Sequence, residues 1–353
     1  MTATQSGTPY ALLAYCRPGF ETECAEEIAD KALAPGKFER GEGWIVFTPS
    51  EKSGCQKVLR DLLAYDLIFS RQALQVHSRI TLGTKDRLTP IINELKLQNN
   101  LFSDVWLEHP DTNEGKTLSS FTRKFGDYVA KAMVENNWLQ PQQSRQRLHL
   151  FFPVQGEVLI ASRPVRASDW LNGIPRLRMP CDAPSRSTLK MLEAILVLVD
   201  EPERKFREGM TAVDLGAAPG GWTYQLVARG LKVFAIDNGP MKGSMDGHHQ
   251  VKHVRDDGFK YRPKNPVDWL VCDMVEQPIR IAELIAKWVA SGNARRAIFN
   301  LKLPMKKRHL EVEKCFALID QKLKKADISY KITAKQLYHD REEITCYLTA
   351  VKD

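Results

Sequence analysis

Three aspartates, two lysines and a glycine-rich turn are the residues of this chain whose types and spacing point to chemistry. The run Val213-Asp-Leu-Gly-Ala-Ala-Pro-Gly-Gly-Trp222 joins an apolar strand to a helix with Trp222, Leu226 and Val227 on one face. A strand, a glycine turn and a helix N-terminus make the nucleotide-binding corner of an open α/β sheet. The turn departs from the dinucleotide fingerprint. After Gly216 that pattern needs a second glycine where this chain has Ala218, and Pro219, Gly220 and Gly221 follow instead. Glycines here permit a positive φ or the close approach of a ligand, and the proline stiffens the helix entry. The corner suits an adenosine ligand without phosphates, such as S-adenosylmethionine. The bland alternative is an ordinary strand-to-helix turn. Asp237 ends the next strand, 21 positions after Gly216, where an acid accepts both ribose hydroxyls of an adenosine. Asp257 ends the third strand, where a carboxylate takes the adenine amino group, and Asp273 ends the fourth. Any one of them reads equally well as a helix cap. Three acids in step with three strand ends point to a ligand.

The residues around Asp273 narrow the reaction. Methyl transfer to an exocyclic amine usually goes with an Asp/Asn-Pro-Pro-aromatic run, and this chain has Asp273-Met-Val-Glu-Gln-Pro278. Carbon-5 methylation of a pyrimidine needs a cysteine nucleophile. Cys272 lies one residue before Asp273, so strand alternation turns it to the opposite face, as a core thiol. An oxygen acceptor is left. Lys302, in Asn300-Leu-Lys-Leu-Pro304, ends a fifth apolar strand. Lys190 follows Ser185-Arg-Ser-Thr-Leu on the helix before the glycine-turn strand, and Glu342-Glu343 open the last strand. An isolated lysine is ordinarily half of a surface salt bridge; a lysine at the ligand end of an apolar strand is not typical of that kind.

These residues need a scaffold, and the second half of the chain supplies one. Strands are expected at 211–216, 232–237, 251–256, 267–273, 296–302 and 344–351, and helices at 187–200, 220–229, 278–291 and 309–326. Repeated β-α-β units imply a doubly wound parallel sheet, an α/β fold. The first half reads as two α+β units. One has strands at Tyr10–Tyr15, Gly43–Phe47 and Asp66–Gln75, with helices from Gly19 to Leu33 and Gly54 to Leu63. The other has helices at Thr89–Leu97 and Phe125–Asn136, a strand at Val105–Glu108, and a hairpin of Arg147–Phe152 with Glu157–Ser162. The expected division is 1–75, 76–162, a basic linker at 163–184 and the α/β domain at 185–353. Between Arg163 and Arg186 stand four prolines and five arginines against two aspartates.

Composition sets the partners. The net charge is +8, and residues 163–353 hold 33 Lys+Arg against 24 Asp+Glu, while residues 1–162 hold 18 against 19. A basic excess attracts polyanions, nucleic acid above all, although a basic pI is common. Lys306-Lys-Arg308 and the linker arginines Arg163, Arg166, Arg176, Arg178 and Arg186 are candidate phosphate contacts, or simply solvated groups. In the near-neutral first half the best candidate is Lys116 to Lys131, where Arg123 and Lys124 stand beside Phe121 and Phe125. The alternative there is a helix whose phenylalanines face the core. The glycine- and methionine-rich loop Gly239 to Gln250 is expected to cover the cofactor. Seven scattered cysteines without a C-x-x-C pair read as reduced thiols of a cytoplasmic protein. No metal is expected: His248-His249 reads as loop polarity. No apolar run approaches a membrane span, and no export signal stands in Met1 to Tyr10.

Lys190, Asp273, Lys302 and Glu343 resemble, in order and context, the K-D-K-E tetrad of the FtsJ-like RNA 2′-O-ribose methyltransferases, and Ser185 their Ser-Arg start. The runs DAPSRSTLK, DLGAAPGGWT, DGFKYRP, VCDMVEQP, FNLKLPMKKR and HDREE are similar to the bacterial 23S rRNA cytidine 2′-O-ribose methyltransferases (RlmM). The resemblance is dense over the catalytic half and looser before it. It implies a Rossmann-like methyltransferase domain behind ferredoxin-like and THUMP-like units, with S-adenosylmethionine as cofactor. It implies a cytidine in the peptidyl-transferase loop of domain V as target, in free or early-assembly 23S rRNA, with no obligate protein partner. Ser185 joins Gly216, Ala218, Pro219, Gly220, Gly221, Asp237, Asp257 and Asp273 as cofactor contacts. In the tetrad Lys302 is the base. Lys190, the sulfonium and burial are expected to push its pKa down from about 10.4, Asp273 to push the other way while orienting Lys302 and the cofactor, and Glu343 to hold Lys190. The Glu-Ile-Thr continuation favours Glu343 over Glu342 as fourth member.

Overall fold

A computed structural model describes residues 8–51, 54–164 and 168–351. The chain divides after Pro175 into two compact units.

The first unit is built on one seven-stranded sheet. Its elements are β1 (Ala11–Cys16), α1 (Glu21–Ala32), β2 (Gly36–Gly41), β3 (Trp44–Pro49), α2 (Cys55–Ala64), β4 (Ser70–Thr81), α3 (Leu88–Gln98), β5 (Asp104–Glu108), α4 (Ser119–Glu135), β6 (Gln146–Val154) and β7 (Glu157–Pro164). The strand order is β2-β3-β1-β4-β7-β6-β5, antiparallel except for the β5–β6 pair. The expected hairpin is present, with Leu150 opposite Ile160. Alternation sends Leu148, Leu150 and Phe152 to a core shared with α3 and α4, and Phe151 to the other face with Leu13, Trp44 and Val46. Strand β4 pairs with β1 through residues 70–76 and with β7 through residues 75–81, so the two sets of strands join in one sheet at Gln75 and Val76. Strand β2 was not foreseen: Gly-Lys-Phe-Glu-Arg-Gly has no buried residue and forms the sheet's edge.

The second unit carries α5 (Ser187–Leu198), the short α6 (Pro202–Lys205), β8 (Thr211–Leu215), α7 (Gly221–Val227), β9 (Lys232–Ile236), β10 (Val251–Val254), β11 (Val267–Cys272), α8 (Pro278–Ala290), β12 (Ala294–Lys302), α9 (Arg308–Lys325), β13 (Tyr330–Lys335) and β14 (Glu343–Ala350). The order is β10-β9-β8-β11-β12-β14-β13. Strands β8 to β12 are parallel, while β14 runs antiparallel to both its neighbours. The sheet is therefore mixed rather than wholly parallel. The unforeseen strand is β13, a polar edge strand that the apolar pattern did not mark. Chain order reverses between β8 and β11, the switch point at which open α/β sheets bind ligands. Gly216 and Asp273 each lie one residue past the ends of these two strands.

Candidate active site

The β12–β14 register assembles the cluster. Lys302, the last residue of β12, lies opposite Glu343, the first of β14. Its Nζ is 2.6 Å from Asp273 Oδ1 and also bonds Glu343 Oε2. Lys190, in the first half of α5, bonds the other oxygen of Glu343 and stands 3.8 Å from Asp273 Oδ2. Glu343 therefore bridges both lysines instead of holding Lys190 alone. Of the two adjacent glutamates, Glu343 is 4% exposed within the cluster. Glu342 turns outward, where Arg308 donates to it at 2.5 Å.

The electrostatics differ from the expected direction. Burial lowers the Lys302 pKa, but the Asp273 and Glu343 carboxylates outweigh it and hold the ammonium above its ordinary value. Lys190 cannot reverse this, because its charge is engaged by the same Glu343. Burial raises the Glu343 carboxyl and the two lysines overcome it, leaving it below the usual range. Cys272 is fully buried, and burial pushes its thiol up to about 12, the reverse of a nucleophile.

A cleft of about 500 Å3 opens at the switch point, lined by Gly216, Ala218, Asp237, Asp257, Asp273 and Met274 among others. Asp256 and Glu276 also line it, and among the described residues no lysine, arginine or histidine does. Asp237 accepts N–H groups from Ala218 at 3.0 Å and Gly239 at 2.7 Å, one on each oxygen. A second lone pair remains on each. Asp257 accepts the Phe259 N–H at 2.8 Å, so it also caps the turn after β10. Gly216 has φ +79°, and a Cβ there would meet Met274. At Gly221 the close approach is to protein rather than ligand. A Cβ would strike the hydroxyls of Ser187 and Ser185, which lie 2.7 Å from each other. Ser185 and Gly221 thereby pack the start of α5 on the start of α7. Gly220 N-caps α7 with φ +114°, and the Ala218–Pro219 peptide is cis.

Sequence reasoning missed a layer behind the cluster. Asn300 Nδ2 donates to Asp273 Oδ1 at 2.8 Å, and the Thr345 hydroxyl donates to Asn300 Oδ1 at 2.7 Å. Asp340 lies 3.0 Å from that hydroxyl. Buried Glu193, one turn after Lys190 on α5, accepts the N–H groups of Tyr338 and His339 at 2.8 and 2.9 Å. It fixes the β13–β14 connection from which Glu343 emerges. Asn300 stands two residues before Lys302 and Thr345 two after Glu343, a spacing that keeps side chains on one strand face.

Other expectations need correction. Met241 and Met245 of the loop at 239–250 are buried in the core cluster that includes Trp222, which anchors the loop. Arg163 belongs to β7 and donates to the Ala73 carbonyl at 2.5 Å, and burial lowers its pKa to about 10, which removes it from the phosphate contacts. Arg166 lies outside the described residues. Arg176, Arg178, Arg186, Lys306 and Lys307 are exposed. Phe121 and Phe125 stack on each other and meet the buried ring of Phe152 edge-on, so they face the core. Arg123, Lys124 and Lys131 stay exposed on α4, with Tyr128 65% exposed. Among the described residues no cluster of three or more His, Cys, Asp or Glu fits a metal ion, and no helix is long and apolar enough to cross a membrane.

Three family models match in chain order. They are the RlmM ferredoxin-like domain at residues 10–74, the N-terminal domain of ribosomal RNA large subunit methyltransferase M at 86–162, and FtsJ-like methyltransferase at 183–337. Proteins described as ribosomal RNA large subunit methyltransferase M are similar along nearly the whole chain. That of Laribacter hongkongensis is 49% identical over 343 residues, covering 94% of each chain. That of Histophilus somni is 44% identical over 355 residues, covering 96% of this chain and 98% of the relative. That of Methylococcus capsulatus is 45% identical over 351 residues, covering 98% and 99%. A Rossmann-type sheet with acids at its switch point, and a match that runs through both units, place this chain in the ribosomal RNA large subunit methyltransferase M family, whose members methylate the RNA of the large ribosomal subunit.

Proposed function

We propose that the enzyme transfers a methyl group from S-adenosylmethionine to the ribose 2′-hydroxyl of a cytidine in the peptidyl-transferase loop of 23S rRNA. The observation that carries the oxygen assignment is Lys302, held at the mouth of the sheet between Asp273 and Glu343 with Lys190 behind them. The thiol beside Asp273 does not compete, since Cys272 is buried and burial pushes its pKa up to about 12. The cytidine and its loop rest on the family resemblance, as does a cytoplasmic location, where rRNA is made and modified in bacteria.

The cleft fits the cofactor. Its acidic lining repels a polyphosphate and attracts a cationic nucleoside. When bound, S-adenosylmethionine supplies a methyl group on a cationic sulfur, open to in-line displacement by an oxygen. Asp237 would hold the ribose hydroxyls with its remaining lone pairs, and Asp257 the adenine amine. Lys302 would first lose its ammonium proton to solvent, a loss favoured by the like charge of the bound sulfonium, and the neutral amine would then take the 2′-hydroxyl proton. Asp273 and Glu343 aim its Nζ, and a fixed orientation counts for much in a displacement. Lys190 keeps Glu343 from serving Lys302 alone. The exposed Lys306 and Lys307, just beyond β12, would grip phosphates near the target.

The test is incubation with labelled cofactor and 23S rRNA or tRNA, followed by alkaline hydrolysis. Label is expected in an alkali-resistant dinucleotide from 23S rRNA. Label on a base carbon or amine overturns the oxygen assignment, and label in tRNA overturns the target.

A further inference from the structure

Asn300, Thr345 and Asp340 are each 0% exposed, and the chemistry above leaves them without a part. Asn300 and Thr345 are cross-strand partners on β12 and β14, two residues inside the Lys302–Glu343 pair. Their hydrogens can be assigned by elimination. The Asp273 carboxylate only accepts, so Asn300 must turn its NH2 toward it. The Asn300 carbonyl oxygen then faces the Thr345 hydroxyl and takes its single hydrogen. Thr345 has only lone pairs left for Asp340, whose oxygens lie 3.1 and 3.0 Å away. An ionised Asp340 would set lone pairs against lone pairs in a site closed to water, which is costly. A carboxylic acid supplies the missing hydrogen. Oδ2 of Asp340 already accepts the Leu337 N–H at 3.0 Å, so the proton belongs on Oδ1.

We propose that Asp340, Thr345 and Asn300 form a one-way hydrogen-bond chain, from a neutral carboxylic acid to the Asp273 carboxylate, that positions Asp273 and loosens its hold on the Lys302 proton. These are positioning residues. No proton travels the chain; each link polarises the next. The hydrogen bond from Asn300 spreads the negative charge of Asp273, so Lys302 releases its proton at lower pH than two bare carboxylates would allow. Burial, with Glu343 acting the same way, holds the Asp340 carboxyl well above the usual carboxylate range. The surrounding charges are accounted for. Lys302 is faced by Asp273 just past β11, Glu343 from β14 and, through them, Lys190 from α5. Asp273 also feels Asp214 on β8 and Cys272, and Asp340 feels Glu343, Lys190 and Glu193.

The proposal rests on Lys302 being the base, and the experiment separates the two. Thr345→Val keeps the shape and cuts the chain. The acid limb of its pH–rate profile is expected to move up by about one unit, roughly a tenfold loss of rate below the limb. Calorimetric affinity for S-adenosylmethionine should stay unchanged, and Thr345→Ser should move the limb back. Asp340→Asn supplies a permanent donor and should keep the limb in place, whereas Asp340→Ala should shift it as Thr345→Val does. A second reading uses the full chain without cofactor. Its lysines are dimethylated with 13C-formaldehyde, and the Lys302 resonance, identified by its absence in Lys302→Arg, is titrated. It should titrate higher in Thr345→Val. Folded Thr345→Val with an unmoved limb and resonance overturns the chain, as does a limb displaced by Asp340→Asn. Should Thr345→Val not fold, the Asn and Ala variants of Asp340 decide. If Lys302→Ala keeps its turnover, the assignment of the base fails, and the resonance still reports on the chain.

Discussion

Lys302 is an ammonium between two carboxylates, and its state of charge governs what the site can do. Lys302→Ala should abolish methyl transfer and leave cofactor affinity within about twofold by calorimetry. Lys302→Arg should be equally inactive, since a guanidinium does not deprotonate. Near-normal turnover in either variant would remove Lys302 from the chemistry. A second residue carries a pH dependence of stability. Asp214 is fully buried, and burial raises its carboxyl from 3.8 to about 7; the Thr223 hydroxyl opposes this, and Asp273 and Asp237 add to it. The folded state keeps a proton that the unfolded chain has released. Its contribution to stability is whole below about pH 4 and lost as pH rises through 7. The melting temperature should therefore fall more between pH 5 and 8 in the unaltered protein than in Asp214→Asn. Equal slopes would show that Asp214 is ionised when folded. At this scale the sequence was most legible where a residue type is unusual for its place. A lysine ending an apolar strand announces itself. Asn300, Thr345 and Asp340 do not, because asparagine, threonine and aspartate are common everywhere, and only the β12–β14 register sets Asn300 against Thr345, with Asp340 beyond it.

Secondary-structure elements place these side chains, and one helix does most of the placing. Helix α5 contributes Lys190 to the cluster and Glu193 to the loop leading into β14. Both oxygens of Glu193 are engaged, Oε2 also lying 2.6 Å from His339 Nδ1. Glu193→Ala should leave two half-buried N–H groups without their carboxylate partner, at about 1 kcal/mol each, and free the loop that carries Glu343. The expected result is a kcat at least tenfold lower, with cofactor affinity little changed and a lower melting temperature. A variant that melts earlier but turns over normally would show that the loop does not position Glu343. The elements were readable where one face is apolar. Helix α8 and strands β8, β11 and β12 fell within two residues of the expected bounds. The edge strands β2 and β13 were not readable, since a strand paired on one side needs no apolar run to hold it.

Charge is divided unevenly over the whole molecule: the excess of 33 basic over 24 acidic residues lies after position 162. If the first unit binds RNA, it does so through a local surface or by recognising shape, not by bulk charge. The exposed side of α4 offers Lys124, Tyr128 and Lys131, spaced four and three residues apart on one helix face. Lys124 and Lys131 changed together to alanine should weaken rRNA binding and lower its salt-dependence slope by roughly two, one for each lysine that no longer neutralises a phosphate. Cofactor affinity should be unaffected. An unchanged slope would place the RNA elsewhere. In the sequence the phenylalanines stand beside these lysines as if on the same surface; the helix period sends them inward instead.

The unbroken sheet of the first unit bears on how the protein is made. Strand β4 cannot acquire its second neighbour until β7 has been synthesised, about 80 residues later, a delay of roughly 4–16 s at ribosomal speeds. During that interval the end of β4, residues 77–81, has no neighbour on either side, since β1 reaches only to Val76. Such an edge is a template for pairing with another chain. A polysome carrying many copies is where mispairing between neighbouring nascent chains should first be found.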